Sequence, residues 1–79
     1  MNIVMKEGHE DLIFMANQIG EFFKNYPTTE EAVEGIANHL RKFWSPSMRQ
    51  RIIGYVEKTE GEKLAPLVRL AVEKLKSSS

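Results

Sequence analysis

Apolar residues return along this chain at steps of three and four, with polar residues between them, and no segment alternates with the two-residue period of a strand. Between His9 and Asn25 the recurring positions are Leu12, Ala16, Ile19, Phe23 and, just beyond, Tyr26, with Met15 and Phe22 beside them. That spacing predicts a first helix burying one stripe. Asn25-Tyr26-Pro27 ends it, because proline disfavours helical geometry in the preceding residue and has no N–H to donate. Thr28 then stands three residues before Glu31, the spacing of a capping box, so a second helix starts there. Val33, Ile36, Ala37, Leu40, Phe43 and Trp44 form its stripe.

Ser45-Pro46 supplies an N-cap followed by proline at the first helical position, so a third helix follows after almost no loop. Met48, Ile52, Tyr55 and Val56 give it an apolar side, and Gly61 is placed to be the left-handed residue that closes it. Pro66 opens a fourth helix through Leu67, Val68, Ala71, Val72 and Leu75. The expected fold class is all-α, a small bundle of four short helices with helices one and two antiparallel. The expected organisation is a flexible arm over residues 1–8, one helical domain over 9–76 and a frayed tail over 77–79.

The stretches "MANQIGEFF" (Met15 to Phe23) and "IANHLRKFW" (Ile36 to Trp44) share Ala, Asn and the first aromatic, and exchange like for like at three other places. Ala16 and Ala37 predict close helix approach. Asn17 and Asn38 fall on the shoulders of the stripes, where they bond a neighbouring carbonyl or face another protein. Phe14 lies nearly opposite the buried stripe at about 100° per residue. It needs a cover, either helix four, the arm "MNIVM", or a second protein.

A chain of 79 residues with 42% hydrophobic and 28% charged positions is one soluble domain, too small for a deep catalytic cavity beside its core. Eleven basic residues balance eleven acidic ones, so no global field draws it to nucleic acid or membrane. Without cysteine it offers no disulfide, thiolate nucleophile or iron–sulfur ligand. No stretch approaches the roughly 18 apolar residues of a membrane span and no secretory signal opens the chain, so the cytoplasm is expected.

Candidate chemistry is sparse. His9 and His39 lack a second metal ligand at helical spacing, Glu30 and Glu34 favour a helix N-terminus, and Ser45 is better placed to cap than to attack. The basic cluster Arg41, Lys42, Arg49 and Arg51 straddles the break after Trp44. A helix-turn-helix DNA reader is one reading of it, weakened by the zero net charge, and an acidic or carbonyl-rich protein surface is another.

The order "MANQIGEFF", "IANHLRKFW", "SPSMRQRI" and "LAPLVRLAVEKL" resembles the delta subunit of cytoplasmic NAD-dependent formate dehydrogenases, over about Leu12 to Leu75. The resemblance implies a small helical accessory subunit, without catalytic residues or a cofactor of its own. It implies a complex whose other chains carry a molybdenum or tungsten pterin, iron–sulfur clusters, FMN and NAD. The expected partner is the large catalytic subunit, with a homo-dimer or self-associating module as the alternative. At Phe14, Ser45 and Ser47 the chain departs from the charged residues usual in that family, so the resemblance carries over Trp44, Pro46, Met48, Arg49 and Arg69. Together with Phe14, Arg41 and Arg51 from the chain's own pattern, these are the expected partner-binding residues.

Overall fold

The computed structural model describes residues 9–78, and the expected arm over 1–8 lies outside them. Four helices follow in order: α1 (His9–Phe23), α2 (Thr29–Phe43), α3 (Pro46–Thr59) and α4 (Pro66–Ser78). Their starts are set as the local chemistry predicts. Thr28 Oγ1 accepts from the Glu31 N–H at 3.1 Å to open α2, and Ser45 Oγ accepts from the Met48 N–H at 3.2 Å, with Pro46 in the first turn, to open α3.

Three ends differ from expectation. α1 stops at Phe23, and the Tyr26 N–H bonds the Phe23 carbonyl at 3.0 Å, so Tyr26 sits in a turn where helical spacing no longer assigns it a side. Glu60, not Gly61, is the first left-handed residue after α3, with φ 65°, and Gly61 continues in that region at φ 70°. α4 runs through Ser77 to Ser78, past the expected limit at Lys76.

α1 and α4 each pack against the other three helices, whereas α2 and α3 do not lie side by side. α1 and α2 are antiparallel across the turn at 24–28, and Lys74 of α4 meets Glu34 of α2, so α4 runs back along α2. The core joins Leu12, Ile13, Ala16, Ile36, Ala37, Leu40 and Trp44 to Ile52, Tyr55, Val56, Leu64, Val68, Ala71, Val72 and Leu75. Most of the predicted stripes are therefore buried. Phe43 is the main exception: expected inside with Trp44, it is 69% exposed while Trp44 is 6% exposed.

Small residues control how near the helices come. Ala16 and Ala37 are fully buried, as expected of close approach. Two glycines without a role in the sequence pattern do the same. A Cβ on Gly20 would stand 2.5 Å from a methyl of Val68 on α4, and one on Gly35 would stand 2.5 Å from the Phe23 ring. These are closer than atoms can pack, so α1 can seat on both neighbours only because those side chains are absent.

The loop between α3 and α4 is tied from both sides. Asn17 Nδ2 donates to the Lys63 carbonyl at 3.1 Å and its Oδ1 accepts from the Ala65 N–H at 2.9 Å. The Tyr55 hydroxyl accepts from the Lys63 N–H at 3.0 Å. Leu64 thereby turns inward, to 6% exposure.

Two glycine substitutions predict opposite signs. Alanine lowers the helical cost of an interior glycine by about 1 kcal/mol, whereas overfilling a packed contact costs about 1–3 kcal/mol. At Gly54 an added Cβ would meet no atom within 4 Å, so Gly54→Ala raises stability. Gly20→Ala meets a wholly buried valine that has no room to retreat, so it lowers stability. Urea unfolding followed by circular dichroism of both variants checks the contrast.

Candidate partner-binding surface

The expected site residues separate into groups. Arg49 turns inward on the chain itself: its Nη1 donates to the Trp44 carbonyl at 2.7 Å and the Arg41 carbonyl at 3.1 Å. The last carbonyls of a helix have no partner within the helix, and a guanidinium planted in the first turn of the next helix satisfies them. Arg49 is thus the clasp of the α2–α3 elbow, and that fixed geometry occupies part of the fork expected to meet another protein. Trp44 likewise serves the core, with its backbone N–H closing α2 onto the Leu40 carbonyl at 3.0 Å.

Arg41 and Pro46 are exposed around this elbow, Met48 and Arg51 half-buried. Arg41 Nη1 donates to Asn38 Oδ1 at 2.7 Å. The two asparagines of the repeat therefore part company: Asn17 holds a distant loop, and Asn38 engages its own helix one turn on. Arg69 belongs to a different end of the molecule. Its stem lies where a Gly61 Cβ would be 3.1 Å away, beyond the last turn of α3, whereas Arg49 sits in the first turn. Ten residues of helix separate them, about 15 Å.

Phe14 is 63% exposed, so no helix of the bundle covers it. It lines a hollow with Asn17, Gln18, Glu21, Lys63, Leu64 and Ala65. Gln18 also lines a second hollow, with Ile19, Phe22, Phe23 and His39, which joins Phe14 to an aromatic group that the sequence pattern assigns to the stripe. Phe14, Gln18 and Phe22 stand at i, i+4 and i+8, one outer line of α1.

From Phe22 the aromatics continue across α1 and onto α2. The Phe22 and Phe23 rings meet edge to face with centroids 5.0 Å apart, and Phe23 meets Tyr26 at 4.9 Å and His39 at 6.5 Å. His39 in turn lies 4.7 Å from Phe43. Phe22 is 71% exposed and Tyr26 42%. The three exposed phenylalanines alone leave on the order of 400 Å² of apolar surface to water, taking about 200 Å² for each ring side chain. The largest apolar patch of an ordinary monomer is of similar extent and is often functional.

The internal repeat holds the signal that sequence reasoning passed over. Phe22 and Phe43 are its matched first aromatics, and both face solvent. Phe23 and Trp44, the matched second aromatics, turn inward to half-buried and buried positions. Among the described residues no three His, Asp or Glu side chains lie together as a metal ion would require, and no helix is long and apolar enough to cross a membrane.

The family of the NADH-dependent formate dehydrogenase delta subunit, FdsD, matches residues 11–72. This chain belongs to that family. The match takes in all of α2 and α3, most of α1, and α4 as far as Val72, so the whole aromatic face falls within it. No curated protein and no solved structure matches the chain.

The elbow clasp yields a stability prediction. Arg49→Ala removes two charge-assisted bonds and leaves the last carbonyls of α2 without that donor, a loss of about 1–3 kcal/mol. Arg49→Lys restores less than half of it, since one ammonium does not reproduce the rigid fork. Denaturant midpoints of the three proteins provide the measurement.

Proposed function

We propose that this chain is a non-catalytic accessory subunit that docks on the large catalytic subunit of an NADH-dependent formate dehydrogenase in the cytoplasm and supports its assembly or stability. Family membership supplies the complex. The observation that carries docking is the aromatic face: Phe14, Phe22 and Phe43 are each more than 60% exposed on a bundle whose own core is closed without them. Burying such rings contributes about 1.5–3 kcal/mol each, which favours a partner over water.

The elbow extends the proposed contact. Arg41, Pro46, Met48 and Arg51 follow or flank Phe43 in the chain, and an arginine there can bond a partner's carboxylate with its two-pronged fork. Arg69 stays in the proposal through its guanidinium alone, because its stem packs on Gly61. Trp44 and Arg49 support the surface from inside. The pterin, iron–sulfur clusters, FMN and NAD of such a complex are assigned to the other subunits, consistent with a chain that has no cysteine to offer a cluster.

Affinity purification tests this directly. A tagged wild-type chain is expected to retain the catalytic subunit, and Phe22→Ser/Phe43→Ser to retain less than a tenth as much with a melting temperature within a few degrees of wild type. Equal retention by the two would remove the aromatic face from the contact. The purified chain alone is expected to reduce no NAD with formate.

A further inference from the structure

One part of the aromatic face forms a hollow of its own. Ile19, Phe22 and Phe23 wall a hollow of about 340 Å³ that Gln18 and His39 complete, open to solvent and almost wholly apolar. An open hollow with that lining suits a large apolar side chain, the kind of anchor on which interfaces concentrate their energy. The nearby charges narrow the choice of occupant. Within one helical turn of the lining residues stand Glu21, Lys24, Arg41 and Lys42, all exposed. The Glu21 carboxylate is already paired with Lys24 at 2.8 Å. Lys42 has no ion-pair partner among the described residues. The uncompensated charge at the rim is therefore positive.

We infer that this hollow receives a bulky apolar side chain of the catalytic subunit, and that a carboxylate beside that side chain pairs with Lys42. The inference rests on the docking proposed above and adds to it one anchor with one charge partner. A second copy of the chain fits less well. A two-fold contact centred on the hollow would bring two Lys42 ammonium groups to one rim, with no carboxylate there except the paired Glu21.

Calorimetric titration of purified catalytic subunit with the full chain, at 50 and 500 mM salt, reads each element separately. Phe22→Ser and Lys42→Glu are each expected to weaken binding at least about tenfold, Lys42→Arg to bind like wild type, and Lys42→Gln to show a smaller salt dependence than wild type. Phe22 and Lys42 are exposed, so unchanged melting curves will show that the fold is intact. If wild type does not bind at all, the docking proposal itself fails. If wild type binds and Phe22→Ser and Lys42→Glu bind equally well, docking stands and the anchor is overturned. A concentration-dependent dimer in sedimentation, abolished by Phe22→Ser, would identify the occupant as a second copy and overturn the inference equally.

Discussion

The seat of α1 on its neighbours decides what this bundle can bury. Gly20 lies under Val68 and Gly35 under Phe23, at separations where any side chain would collide. Ala16 and Ala37 are fully buried in the same core. Trp44 and Tyr55 join that core, and its largest fully buried side chains are branched aliphatics, Ile36, Leu40, Ile52, Val68 and Val72. Phe14, Phe22 and Phe43 stay outside it.

Polar side chains do a different job from the one their charge suggests. Arg49 and Asn17 both carry groups suited to recognition, yet each spends them on backbone atoms where a helix ends. Arg49 closes α2 onto α3, and Asn17, with Tyr55, holds the loop that aims α4. The Arg49–Trp44 bond is partly buried, so leaving that carbonyl unpaired would cost more than a surface ion pair returns. Ion pairs between exposed side chains, such as Lys24 with Glu21 and Lys74 with Glu34, matter less to stability than these two residues do.

The fold was legible in the sequence because several local signals agree. Thr28, Ser45 and Pro46 mark helix starts by chemistry that needs no tertiary context, and the three-four spacing fixes most of the core. Periodicity was less informative at the stripe edges. Phe43 has the spacing of a buried residue in α2, but which shoulder of a stripe is covered depends on the neighbour's position, and α1 leaves that shoulder open. Ile13 shows the converse, buried although it stands outside the predicted stripe. The site was harder still to see. Exposed phenylalanines look like core residues in a composition, and the inward turn of Arg49 depends on the angle of the α2–α3 elbow, which no spacing encodes. Only the repeat, matching Phe22 with Phe43, held the information, since two equivalent positions tend to share an environment.

A small bundle that exposes its rings has its stability linked to its company. Seventy-nine residues enclose a limited core, and apolar surface left outside contributes nothing until something covers it. A partner that binds only the folded chain adds to its stability in proportion to the logarithm of partner concentration over dissociation constant. On the proposed docking, the chain by reciprocity stabilises whatever conformation of the partner it selects. The proposed support of assembly then needs no chemistry from this chain: a rigid apolar face, held in place by glycine-tight seams and an arginine clasp, suffices to favour one arrangement of a larger neighbour over the others.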